Sequence, residues 1–300
     1  MDPWIPITLA AAFAQTLRFM AQKHLKSTAL STAGATFARF LFSAPLVAVL
    51  IVGYAQISGQ ALPGTNPRFW LFSMVGGAAQ IMATMCIVAL FAHRNFAVGI
   101  TFKKTEVVQT ALLSTVVLGE SVSPRGALAI GLGFLGVLLL ADMPGGQGSW
   151  RRRFFNRAAG LGLLSGVFFA FSAVGYRGAS LALDSGDVIL RAGSTLAIVT
   201  ACQCLVMAVG LRWREPGQIG AVIGAWRIAG VVGVTSMIGS FCWFTAFTLQ
   251  NAAYVNALGQ VELLFSLAAS VLVFREKISR REWLGMGLLS VSIIVLVLAL

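Results

Sequence analysis

Apolar residues run through this chain in long stretches separated by short polar or glycine-rich segments, and ten of the stretches could each cross roughly 30 Å of hydrocarbon as a helix. They fall near 4–22, 33–55, 69–92, 95–118, 125–142, 158–180, 187–210, 222–249, 252–274 and 282–299. Barrel strands would be about ten residues long and would alternate polar with apolar. Runs such as Gly285 to Leu300 do neither, so the pattern predicts helices.

The pattern also repeats. Residues 70–140 can be laid on 226–296 at a constant offset of about 156 without gaps, with roughly sixteen of some seventy positions identical. The identities include Trp70 with Trp226, Gly77 with Gly233, Asn95 with Asn251, Glu106 with Glu262, Ser114 with Ser270 and Glu120 with Glu276. Two aligned glutamates at equal spacing are not a by-product of apolar composition. Residues 1–143 and 157–300 form the two halves, joined by a linker at 144–156 that runs from Pro144 and Gly145 into the basic residues Arg151, Arg152 and Arg153. Five spans per half is an odd number, so the second half enters the membrane from the opposite side. The expectation is an all-α integral membrane protein: ten transmembrane helices as two five-helix inverted repeats around a central cavity, with alternating access as the mechanism.

Composition sharpens this picture. The chain is 58% hydrophobic and 11% charged over 300 residues, too little polar surface to cover a water-soluble globule. The net charge of +12 would suggest nucleic acid in a soluble protein. Here, however, Lys23, Lys26, Arg94, Arg151, Arg212, Arg214, Arg275 and Lys277 flank the odd-numbered loops, while Arg68, Arg125 and Arg177 lie by the even ones. The positive-inside rule then places the odd loops in the cytoplasm and both termini outside. Ala12-Phe13-Ala14 resembles a signal-peptidase site, but no basic segment precedes it and the apolar run continues to Met20, so the first helix is expected to be retained. The four cysteines, Cys86, Cys202, Cys204 and Cys242, fall inside spans and read as packing residues.

Leu118-Gly119-Glu120-Ser121-Val122-Ser123, followed by Gly126 and the glycine-spaced segment Gly131 to Gly136, resembles the end of the fourth helix and start of the fifth in the drug/metabolite transporter superfamily, specifically its ten-helix exporters with tandem EamA domains. Phe274-Arg275-Glu276-Lys277-Ile278-Ser279, with Gly285 and Gly287, repeats that motif in the second half. Arg39 resembles an arginine those proteins often carry in the second span. The resemblance implies efflux of a small polar metabolite, with exporters of aromatic or hydrophobic amino acids the nearest group. Two features depart from the family pattern: members are usually drawn with both termini in the cytoplasm, and many have a proline where this chain has Glu106-Val107 and Glu262-Leu263.

The candidate chemistry sits at those departures. Glu106, Thr110 and Ser114 are spaced i, i+4, i+8, and Glu262, Ser266 and Ser270 repeat the spacing, so each helix carries one polar stripe. A charge facing lipid at mid-membrane costs about 2.5 to 3.5 kcal/mol, which turns both stripes inward. Glu106 has Lys103 one turn away and can be a structural ion pair. Glu262 has Gly259 at that position and no cation on its own helix, which makes it the expected proton acceptor. Gln80, Thr84, Lys103, Lys104, Ser236, Ser240, Asn256 and Gln260 extend the site with donors and acceptors for a substrate such as an amino acid. Trp243, Phe241 and Tyr254 either line an apolar pocket or pack against lipid. Arg39 and Arg191 either gate the cavity or snorkel to the headgroups.

Other readings are weaker. Gly131-Leu-Gly133-Phe-Leu-Gly136 satisfies GxGxxG but follows no strand, so helix packing explains it better than a dinucleotide site. No Walker motif points to ATP, and with His24 and His93 both near loops no catalytic or metal cluster is expected. The expectation is a secondary transporter of the bacterial inner membrane that exports small metabolites, amino acids first, and uses protons or none; it needs no cofactor, nucleic acid or obligate protein partner. Exporters of cationic drugs or nucleosides, facilitated-diffusion carriers and channels are the alternatives.

Overall fold

A computed structural model describes residues 2–26, 30–90, 103–140, 157–265 and 280–298. They form eleven helices and no strand. In chain order these are α1 (Trp4–Lys26), α2 (Thr32–Ser58), α3 (Pro67–Leu90), α4 (Glu106–Leu118), α5 (Pro124–Leu140), α6 (Arg157–Leu181), α7 (Val188–Arg214), α8 (Gln218–Gly224), α9 (Trp226–Leu249), α10 (Ala252–Gly259) and α11 (Arg280–Leu298). Among them α2, α3, α6, α7 and α9 are long and apolar enough to cross a membrane. The linker and the segments 91–102 and 266–279, which hold Ser266, Ser270, His93 and Glu276, lie outside the described residues.

Polar side chains mark the helix ends. Ser31 accepts from the Gly34 amide, Asn66 from Phe69, Asp187 from Ile189 and Leu190, and Asn251 from Ala253, each satisfying a donor that the first turn leaves over. Gly59 and Gly119 close α2 and α4 in the left-handed region at φ 65° and 71°. Short α8 was not foreseen; Gln218 ties it to the start of α2 by accepting from the Ser31 amide at 2.9 Å.

Burial is inverted relative to a soluble protein. Val49, Ile57, Leu112, Val116, Leu205, Trp213 and Leu284 are exposed, while Arg18, Arg39, Lys103, Lys104, Glu106 and Glu262 are buried. Such a chain has its apolar face turned to lipid and its polar face turned inward.

The packing follows a pseudo-two-fold axis. Helix α1 packs on α9; under exchange of halves this becomes α6 on α3, which is also a contact, and α2–α7 and α5–α11 map onto themselves. Self-paired helices also run antiparallel. Tyr54 of α2 meets Asp187 while Ile51 faces Gly193 of α7, and Ala129 of α5 meets Ser292 while Gly136 faces Gly285 and Leu289 of α11. Helices occupying equivalent places in the two halves therefore point in opposite directions, which is the inverted repeat. In the α5–α11 pair, Gly133 and Gly136 let the two backbones approach, the packing role expected for the GxGxxG segment.

One expectation is corrected. The fourth helix of each half was read as one continuous span, but each is broken. Residues 104–105 form a turn before α4 begins at Glu106, and residues 260–261 form the equivalent turn between α10 and the helical residues 262–265. At about 1.5 Å per residue, the 13 residues of α4 reach roughly 20 Å into a 30 Å core. The break thus lies deep in the membrane; Thr105 and Gln260 keep right-handed helical dihedrals there, and short bonds such as Val261 N–H to Leu258 O tighten the turn.

Candidate functional site

Each helix break delivers charge to the interior. Lys103 precedes the first break, Lys104 lies in it and Glu106 opens α4; Glu262 follows the second break. Lys103 Nζ lies 2.7 Å from Glu106 Oε1 and 3.8 Å from Glu262 Oε1. Lys104 Nζ makes a close ion pair with Glu262 Oε1 across the repeats, and Gln15 Nε2 donates to Glu262 Oε2 at 2.7 Å. Two lysines and two carboxylates are thereby buried as one neutral cluster, the arrangement in which buried charge is tolerated. Asn256 Nδ2 donates to Thr110 Oγ1 at 2.9 Å, joining α10 to α4 just beyond it.

Beside the cluster lies a cavity of about 50 Å³. Its first-repeat wall holds Gln15, Arg18, Arg39, Gln80, Lys103 and Glu106. Its second-repeat wall holds the aromatic rings of Phe169, Tyr176, Trp243, Phe244 and Phe247, with Ser172, Ser240, Asn256, Gln260 and Glu262. Arg39 donates from Nε to Ser236 Oγ at 2.8 Å, from Nη1 to Thr84 Oγ1 at 3.0 Å and from Nη2 to Ser240 Oγ at 3.1 Å, all neutral hydroxyls. Arg18 donates to Gln15 Oε1 at 3.4 Å and lies 4.6 Å from the centre of the Phe19 ring, while its Nη1 has no hydrogen-bond partner among the described residues. Tyr176 stacks on Phe244 at 4.1 Å and its hydroxyl donates to Gln80 Oε1 at 2.7 Å. The site is thus cationic on one wall and aromatic on the other.

The description of the EamA-like transporter family matches residues 2–141 and again residues 156–298, covering both halves. The chain belongs to that family. It is a multi-pass membrane transporter of small molecules with two tandem EamA domains. A crystal structure described only as that of a protein superposes with a TM-score of 0.73 at 12% identity, covering 99% of this chain and 96% of that one, which is a likeness of fold. No curated protein matches.

In this EamA-like transporter the expected site residues gather unevenly. Glu106, Glu262, Lys103, Gln80, Ser240, Trp243, Asn256 and Gln260 line the cavity, and Lys104, Thr84 and Thr110 each hydrogen bond or pair with a lining residue. Four expectations are corrected. Glu262 does have a cation, supplied by the other repeat, so it is not the unpaired proton acceptor that its own helix suggested. Arg39 does not snorkel; its whole guanidinium is buried in the cavity wall. Arg191 is half-buried on α7 outside the cavity lining. Tyr254 is buried against Gly126, and its hydroxyl accepts from the Ser123 amide at 2.8 Å, so it meets neither substrate nor lipid.

The residues that sequence reasoning missed are Gln15 and Arg18 on α1, Phe169, Ser172 and Tyr176 on α6, and Gln203, which donates to Gly77 O, Gln80 and Tyr176. Arg18 carried a usable signal: an arginine amid the apolar run of the first span. Arg177, counted as a loop charge, instead grips Glu120 at 2.6 Å and donates from Nη1 to the Phe247 and Gln250 carbonyls at 2.6 Å each, fastening α6 to the end of α9.

Proposed function

We propose that this EamA-like transporter is a secondary carrier that exports small carboxylate-bearing metabolites, foremost amino acids with apolar or aromatic side chains, across the bacterial inner membrane by alternating access. The observation that carries this reading is the central cavity shared by two inverted repeats, with guanidinium and ammonium donors on one wall and aromatic rings on the other. Donors suit the carboxylate, and the rings suit an apolar side chain. Inverted repeats supply two related conformations, one open to each face.

The lysine–glutamate cluster is the part of the site that can exchange an ion pair for a proton, and it supports coupling to a proton gradient. A carrier of cationic drugs would need surplus acceptors. Here the buried cations Arg18, Arg39, Lys103 and Lys104 outnumber the buried carboxylates Glu106 and Glu262. Purified protein in liposomes, tested with a panel of radiolabelled amino acids with and without a pH gradient, tests the reading. Saturable uptake and counterflow are expected; non-saturating flux without counterflow would mark a channel.

A further inference from the structure

The two glutamates of the cavity are already occupied by lysines, and this decides which ionic form of the substrate the site can take. Lys103 holds Glu106 at 2.7 Å, and Lys104 and Gln15 hold the two oxygens of Glu262. The arginines are not neutralised in the same way. Among the described residues no carboxylate lies within 4 Å of Arg18 or Arg39, and the partners that Arg39 has are neutral hydroxyls. Both guanidiniums are buried, at 3% and 4% exposure, and both line the cavity. A buried charge without a counter-charge is costly unless a ligand supplies one.

The orphaned hydrogen-bonding atoms agree. Among the described residues two buried donors on the lining have no acceptor, Arg18 Nη1 and Trp243 Nε1, and Trp243 stacks on Phe247 at 5.6 Å as part of the aromatic wall. One lining acceptor, Gln260 Oε1, has no donor, and it is a neutral carbonyl. An ammonium would find one neutral acceptor there, the carboxylates of the lining being already paired with lysines, whereas a carboxylate finds two buried guanidiniums. The repeat explains the imbalance: at the constant offset, Lys103 and Lys104 align with Gly259 and Gln260, so the second half contributes its glutamate without the lysines.

We infer that the site is built for an amphipathic organic anion, with its carboxylate between Arg18 and Arg39 and its apolar body against Trp243, Phe244 and Phe247. The inference rests on the carrier reading and narrows it: a deaminated aryl carboxylate should bind better than the matching zwitterion, and far better than the matching amine. The probes are phenylpyruvate, phenylalanine and phenethylamine, competing in counterflow by the wild type in liposomes and tested for thermal stabilisation of the detergent-solubilised protein. Phenylpyruvate should compete at least several-fold more strongly than phenylalanine, with phenethylamine inert. Arg18→Lys and Arg39→Lys keep a cation for folding; each should weaken phenylpyruvate several-fold while a folded melting profile persists. Equal or stronger competition by phenylalanine or phenethylamine overturns the anion assignment and leaves the carrier standing. Absence of counterflow for every labelled solute in the panel overturns both.

Discussion

At the scale of single residues, the lysine–glutamate cluster is where a substitution should cost most. Glu262 is held by Lys104, Gln15 and, at 3.8 Å, Lys103. Removing one member of a buried pair leaves the other uncompensated, at about 3 to 5 kcal/mol. Glu262→Gln and Lys104→Gln should therefore each lower the melting temperature strongly, while the double variant should be less destabilised than the two single effects together. Additive losses in that cycle would show that the two groups do not interact. Glu262 joins both repeats and should matter more for coupling than Glu106, which is paired within its own repeat. In liposomes Glu262→Gln should retain counterflow but lose accumulation driven by a pH gradient, and Glu106→Gln should keep both. Full gradient-driven accumulation by Glu262→Gln would make the carboxyl structural.

Helices pack here where small residues let backbones meet, and the glycines of α5 separate packing from composition. A Cβ at Gly136 would lie 2.9 Å from the Leu289 amide and 3.0 Å from the Gly285 carbonyl, backbone atoms that cannot turn aside, whereas a Cβ at Gly131 meets nothing within 4 Å. Gly136→Val should destabilise by about 1 to 3 kcal/mol or more through overpacking, and Gly131→Val should be near neutral, read by thermal melting in detergent. Helix caps give a second test. Burial opposes it, but the Leu190 amide, the Tyr54 hydroxyl, the Ile189 amide and Gln60 together hold the Asp187 carboxyl below its ordinary 3.8. Its stabilising contribution is then complete above that ordinary value and is lost as pH falls through the lowered one, so Asp187→Ala should cost about 1 kcal/mol at neutral pH and less in strong acid. Helices were legible in the sequence because lipid imposes an unbroken apolar run, and the repeat was legible because identities such as Glu106 with Glu262 kept one offset. The breaks at 104–105 and 260–261 were not legible, since they lack the proline or paired glycines that usually mark a break. Nor were the partners of Glu262: Lys104 lies in the other repeat and Gln15 on the first helix, and only the tertiary fold brings them together.

For the whole molecule, orientation and alternation are separate questions. The bias of lysine and arginine toward the odd loops puts both termini outside, so a reporter active only in the cytoplasm and fused after Leu300 should be silent; strong signal would reverse the topology. On the proposed carrier reading, alternation rests on the inverted repeats, because exchanging the conformations of the halves would turn one state into the other. That exchange is not neutral in this chain. In the state described, Glu262 meets Lys104; with the halves exchanged, Glu106 takes the place of Glu262 and meets Gln260, the aligned residue, where a lysine stood. On that reading the Lys104–Glu262 pair should form in one state only and bias the protein toward it. Lys104→Gln should relax that bias. With single cysteines at each mouth of the cavity in a background free of native cysteines, thiol labelling should shift toward the opposite face in Lys104→Gln, and a labelling pattern equal to that of the parent would show that the pair holds the helices together without favouring either state.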